Sequence, residues 1–172
     1  MINNHLLSLA KQSPSDNKNE RPDNEISLVV IHNISLPPGE FNNDYIEQFF
    51  TNQLDFNKHA YFQNIKEMQV SAHLLIKRDG SSIQFVPFDQ RAWHAGESSF
   101  KDQNNCNDYS IGIELEGSDN LAYEAVQYQS LKIILNLLKA HYPIEAVVGH
   151  SDIAPGRKTD PGKAFNWDEI QD

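Results

Sequence analysis

Two short apolar runs, each ending at a histidine, restrict this chain more than any other feature. Leu28-Val29-Val30-Ile31 leads into His32, and Ala146-Val147-Val148 leads through Gly149 into His150. An unbroken apolar run bounded by polar residues reads as a strand buried on both faces. The residue at its end then emerges at the rim of a sheet. After His150 comes a Pro/Gly-rich loop carrying Lys158 and Asp160 two residues apart. Two imidazoles at strand exits and a carboxylate on a rigid loop can give one zinc ion N, N and O donors. A fourth position then stays open for water, the pattern of a catalytic rather than a structural site.

The rest of the chain supplies a frame for those strands. Residues 1–25 form an extended N-terminal arm, since 11–25 are polar, lack periodicity and include Pro14 and Pro22. One domain spans 26–172, a size that buries a single core. Residues 33–43, with Leu36-Pro-Pro-Gly39, are a loop. Tyr45, Ile46, Phe49, Phe50 and Leu54 fall at helical spacing over 44–54. Residues 70–86 read as a hairpin turning at Asp79-Gly80, and 87–109 as a long loop suited to substrate contact. Ser110 to Gly117 is a strand, and Glu124 to His141 is a helix with Leu131, Ile134, Leu135 and Leu138 along one stripe. The fold class is therefore α/β of the α+β type: a single domain with a central mixed β-sheet and flanking helices.

Charge and composition exclude several partners. A net charge of -10 disfavours nucleic acid and anionic membrane surfaces, and no apolar run approaches the length of a membrane span. The start of the chain lacks the basic and apolar regions of a signal peptide. Cys106 is the only cysteine, which fits a reducing compartment. The expectation is a cytoplasmic monomer that engages neither nucleic acid nor membrane. Cys106 itself lies in a polar loop and reads as a small loop residue rather than a nucleophile.

Each candidate residue also has an ordinary role. A lone histidine at a strand end commonly just hydrogen-bonds nearby backbone. His59, His73 and His94 are further imidazoles, and no spacing matches His-Glu-x-x-His or a Cys/His finger, so the residues leave the ligand set open. Glu114 and Glu116 share one face of their strand, opposite Ile111, Ile113 and Leu115. On a solvated face that pair carries no chemistry. Facing a metal, either one can take a proton from water, with burial and a like-charged neighbour raising its pKa. Lys158, two residues from Asp160, reaches the same side of an extended loop and can stabilise an oxyanion; exposed solvation is its common fate. Tyr61, Trp93 and His94 are candidate walls for a substrate, or packing aromatics.

A wider set of stretches surrounds these residues. They are His32-Asn-Ile-Ser-Leu-Pro-Pro-Gly-Glu-Phe41, Val70-Ser-Ala-His73, Val86-Pro-Phe-Asp89, Arg91-Ala-Trp-His-Ala-Gly96 and Cys106-Asn-Asp108. Ser110-Ile-Gly-Ile-Glu-Leu-Glu-Gly117, Gly149-His150 and Arg157-Lys-Thr-Asp-Pro-Gly162 follow. In order and from about Arg21 onward, they resemble the zinc-dependent N-acetylmuramoyl-L-alanine amidases, and more closely the AmpD-type 1,6-anhydro-N-acetylmuramyl-L-alanine amidases. The resemblance implies one zinc ion per chain held by His32, His150 and Asp160. It implies Glu114 rather than Glu116 as the catalytic carboxylate and Lys158 assisting at the transition state. Asn33, Tyr61, Trp93, His94 and Arg157 are implied near the substrate. The implied fold is the mixed-sheet amidase fold shared with peptidoglycan-recognition proteins. The implied reaction is hydrolysis of the bond between (1,6-anhydro-)N-acetylmuramic acid and L-alanine in peptidoglycan recycling, with an anhydromuropeptide as substrate. Where such amidases often carry arginines, this chain has uncharged Gln69 and Asn105. Two rivals remain: a non-catalytic peptidoglycan-binding module, which typically lacks a full ligand set, and an exported amidase acting on intact wall.

Overall fold

The computed structural model describes residues 1–171. Among them, six strands form the main sheet: β1 (Lys11–Gln12), β2 (Leu28–Ile34), β3 (Leu74–Ile76), β4 (Ser82–Gln84), β5 (Ser110–Glu116) and β6 (Ala146–Gly149). The helices are α1 (Tyr45–Phe50), α2 (Ala125–His141) and α3 (His150–Ile153). The strand order is β6-β2-β5-β3-β4-β1. β6, β2, β5 and β3 run parallel, β4 returns antiparallel on β3, and β1 runs parallel to β4. This is the expected mixed sheet with helices packed on it. No helix of the described residues is long and apolar enough to cross a membrane.

The two sheet faces do different work. Val29 and Ile31 of β2 and Ile111, Ile113 and Leu115 of β5 join Leu131, Ile134, Leu135 and Leu138 of α2 in the largest core cluster. That stripe recurs at three- and four-residue steps, so one side of α2 covers the sheet. Gln127 fixes the start of α2: its Oε1 accepts the Glu124 N–H at 3.0 Å while its Nε2 donates to the Glu116 carbonyl at 3.1 Å. On the opposite face, Leu28 and Val30 pack with Ala95, Cys106, Tyr109 and Ile153, and a separate cluster gathers Leu75, Ile83 and Phe85 against Phe49, Phe50 and Phe62. His32 and Glu114 lie on this second face, in register with each other across β2 and β5.

Glu114 and Glu116 share that face but not a role. Glu116 is fully buried, and its two oxygens accept the backbone N–H groups of Asn42 at 2.8 Å and Arg78 at 3.0 Å. It pins two loops to the end of β5. Cys106 is likewise buried within a packed cluster.

Local boundaries depart from expectation in instructive places. The segment over 1–25 is extended but is not a separate arm. Ile2–Asn3 pairs with Leu6–Leu7, β1 extends the main sheet, and Lys18–Glu20 pairs with Gln90–Ala92. Its polar residues are spent on backbone groups elsewhere. The buried Arg21 donates to the carbonyls of Phe88, Asn107, Asp108 and Ser110. The 44–54 helix closes early, at Phe50, with Asn52 at φ 59° beyond it. The 87–109 loop carries short strand pairs and a turn at Cys106–Asp108.

Removing the Glu116 carboxylate leaves two part-buried backbone donors without their acceptor. Glu116→Ala is expected to lower unfolding stability by about 2–4 kcal/mol, read as the shift in urea midpoint. Glu116→Gln, which keeps one acceptor oxygen, should lose markedly less.

Candidate active site

Three side chains converge where β6 ends beside β2, a strand that does not stop at His32 as expected but runs on to Ile34. His32 Nδ1 lies 2.9 Å from His150 Nδ1 and 3.1 Å from Asp160 Oδ2, and His150 Nδ1 lies 3.0 Å from Asp160 Oδ2. Register explains the meeting of the histidines. Gly149 is level with Ile31, so the next residue on each strand stands beside the other. The loop after α3 then brings Asp160 back, its carbonyl accepting the Ser151 N–H at 3.0 Å.

The outer ring nitrogens decide which inner atoms carry protons. His150 Nε2 is 3.1 Å from the Ala95 carbonyl, which only accepts, so the proton is on Nε2. His32 Nε2 is 2.9 Å from His94 Nδ1, and His94 Nε2 is 3.2 Å from Ser110 Oγ. Ser110 spends its hydroxyl proton on the Cys106 carbonyl. His94 therefore carries its proton on Nε2, and His32 donates to His94. Both Nδ1 lone pairs thus face the Asp160 carboxylate with no proton among them. Three such atoms about 3 Å apart repel unless a cation sits between them. Zinc, bound to N and O donors at about 2.0–2.2 Å, suits that spacing and that donor set.

Electrostatics agree with this arrangement. Burial pulls the His32 pKa down to about 4, so its imidazole is neutral at pH 7. Glu114 is buried, and among the described residues its Oε2 has no hydrogen-bond partner. Burial first, then the charge of Asp160, pushes its pKa well above the ordinary carboxylate value, while Lys158 opposes the rise. An unsatisfied buried carboxylate oxygen next to a cation-demanding cluster is an unusual and costly feature.

A second network holds the loop that carries Asp160. Asn33, directly after His32, donates from Nδ2 to Asp119 Oδ1 at 2.8 Å and to the Pro161 carbonyl at 3.1 Å. The Thr159 hydroxyl donates to the other Asp119 oxygen. Lys158 and Asp160 thus flank an anchored residue. Asp119 was not singled out in the sequence, because it follows a turn in a short polar stretch that looks like any loop.

The remaining candidates divide clearly. A cleft of about 580 Å³ is lined by His32, Glu114, His150, Lys158 and Asp160, with Asn33, Tyr61, Trp93, His94 and Arg157 also on its walls. The Asn33 amide donates to Asp119 and to the Pro161 carbonyl of the Asp160 loop, and Arg157 Nη2 donates to Ala95 and Glu97 carbonyls. Gln69 and Asn105 are exposed and outside the lining. His59 and His73 are not ligands. His59 Nδ1 accepts the Tyr61 N–H, while His73 accepts the Gly112 N–H on Nδ1 and donates from Nε2 to the Gln90 carbonyl.

The family model for N-acetylmuramoyl-L-alanine amidase matches residues 22–163. The chain belongs to this family. The 1,6-anhydro-N-acetylmuramyl-L-alanine amidase AmpD of Citrobacter freundii is 52% identical over 170 residues, 97% of this chain and 91% of that protein. A crystal structure of a selenomethionine AmpD derivative superposes with a TM-score of 0.97 at 51% identity, over 99% of this chain and 97% of that one. A complex of the amidase AmiD from E. coli with the substrate anhydro-N-acetylmuramic acid-L-Ala-D-γ-Glu-L-Lys superposes with a TM-score of 0.60 at 31% identity. It covers 84% of this chain and 56% of that one. The AmpD-type resemblance carried by the motifs thus extends over the whole amidase fold.

His73 yields a pH prediction independent of any metal. Burial, then the charge of Arg21, lowers its pKa to about 3, against about 6.5 in an unfolded chain. Below pH 6.5 the unfolded state takes up a proton that the folded state refuses. Stability is therefore full above 6.5 and drains as pH falls towards 3, by at most about 1.4 kcal/mol per pH unit from this residue. Urea unfolding of the metal-free protein across that range should show the slope, to which the buried His32 also contributes, and His73→Gln should reduce it by the share of one proton.

Proposed function

We propose that this chain hydrolyses the amide bond between the lactyl carbonyl of (1,6-anhydro-)N-acetylmuramic acid and L-alanine in soluble muropeptides. The reaction uses one zinc ion per chain held by His32, His150 and Asp160, and belongs to cytoplasmic peptidoglycan recycling. The convergence of three unprotonated donors beside the unpartnered oxygen of Glu114 carries this reading. A bound zinc ion supplies Lewis acidity that makes water nucleophilic near neutral pH and polarises a carbonyl.

The chain's own residues do the rest. Glu114 takes a proton from the attacking water as the new C–O bond forms, and returns it to the alanine nitrogen as the C–N bond breaks. The products are the free carboxylate of the muramic lactyl group and a peptide with a free amino terminus. Burial raises the proton affinity of Glu114, while Lys158 and a nearby dication lower it, leaving a base that also serves as an acid. The Lys158 ammonium stabilises the charge that develops on the carbonyl oxygen. Asn33, Tyr61, Trp93, His94 and Arg157 line the approach, in a cleft of a volume suited to a small glycopeptide. A non-catalytic binding module has no use for a buried, unpaired carboxylate beside a complete ligand set.

Mass spectrometry of an anhydromuropeptide digest, with and without chelator, tests reaction, bond and metal together. Release of the peptide with a free L-alanine, abolished by chelation and restored by zinc, is expected. Glu114→Ala should reduce turnover by about 10²–10⁴-fold with close to one zinc still bound per chain. Near-normal turnover in that variant removes Glu114 from the mechanism.

A further inference from the structure

The two histidine ligands point their outer nitrogens at neighbouring residues. His32 donates to the ring of His94, and His150 donates to the carbonyl of Ala95. The backbone N–H groups of these two adjacent residues both end on one atom, Asn107 Oδ1, at 3.1 Å from His94 and 2.8 Å from Ala95. A single amide oxygen thus holds the dipeptide that orients both imidazoles.

Asn107 is itself firmly placed. It is buried in the turn Cys106–Asp108, immediately before β5. Its carbonyl accepts from Arg21 Nη1 at 3.1 Å, and the turn is tied by the Cys106 N–H to Ser98 Oγ at 3.1 Å. From the far side, the His94 ring sits directly on Gly112, where a Cβ would come within 2.4 Å of its Cγ. His94 is therefore trapped between the β5 backbone and the grip of Asn107. Outer partners that fix the ring orientation of metal-ligating histidines commonly matter about 10–100-fold in metal affinity. Here one acceptor serves the residues behind both rings, beside the Ser110 contact to His94 and the Arg157 contact to Ala95.

We propose that Asn107 is a positioning residue for the metal centre: its side-chain oxygen, through His94 and Ala95, preorganises both histidine ligands at once. This rests on the zinc reading above, and the test separates the two. Zinc dissociation constants are measured by chelator competition for the wild type, Asn107→Leu and Asn107→Asp, with thermal unfolding of each metal-free protein alongside. Asn107→Leu removes the acceptor at similar volume and should bind zinc about 10–100-fold more weakly. Asn107→Asp keeps an acceptor oxygen for both N–H groups and should stay within about threefold of wild type. A purely structural role would lower the metal-free unfolding temperature without changing zinc affinity. Equal affinity in Asn107→Leu and wild type, or equal loss in both variants, overturns the proposal. Should Asn107→Leu fail to fold, Asn107→Ser, whose shorter side chain cannot span to both N–H groups, replaces it under the same criteria. A wild type that binds no zinc overturns the functional reading as well, which distinguishes that failure from this one.

Discussion

The register of β2 against β5 places His32 level with Glu114 on one face of a sheet whose other face is closed by α2. Side chains alternate along a strand, so a one-residue slip would turn both groups into the apolar core and present Ile31 and Ile113 to the cleft. The long apolar stripe under α2 prevents that slip. Burial of Val29, Ile31, Ile111, Ile113 and Leu115 on one side is what turns His32 and Glu114 towards the cleft on the other. Hydrophobic packing at a distance thereby aligns the polar chemistry. His150 joins them because β6 is in register with β2 and ends at Gly149, level with Ile31, which leaves His150 beside His32.

That arrangement gathers groups that would not stay together unaided. Two imidazole lone pairs and a carboxylate face one another, with a second, partner-poor carboxylate close by. Desolvation makes each like-charge or lone-pair contact more costly than in water. The surrounding fold holds them nonetheless: Asn33, Asp119 and Thr159 fix the loop, and Ala95 and His94 fix the rings. A cation bound among the three would relieve that repulsion.

The sequence made the ligand-bearing strands legible because their signals are local. An apolar run, its end, and the spacing of Lys158 and Asp160 all lie within a few residues of each other. Choosing among five histidines was beyond local pattern. His73 drops out because the Gly112 N–H and the Gln90 carbonyl, distant in sequence, occupy both its nitrogens, and His59 because it caps its own turn at the Tyr61 N–H. Periodicity alone could not separate Glu114 from Glu116, since both occupy the same face; the N–H groups of Asn42 and Arg78, supplied by distant loops, make the distinction. Resemblance to a family supplied that choice before geometry did. Asn107 and Asp119 gave no local signal, because an amide or carboxylate in a polar loop looks the same whether solvated or anchoring.

The misreading of the N-terminal segment follows from the same cause and shows how the cleft is kept in shape. Its walls are loops, which lack sheet hydrogen bonds to hold them. Asn17 donates to the Val70 carbonyl and the Asn52 side chain on one wall. Asn19 accepts from Trp93 Nε1 at 2.7 Å and Arg91 Nη1 at 3.2 Å on the other, and Arg21 gathers four carbonyls beneath. Asn17, Asn19 and Arg21 are alternate positions of one extended segment, so they share a side of it and tie several loops to one another. Polar, aperiodic composition is what such a strap requires: each side chain answers backbone groups in a different element, so no face of its own is repeated.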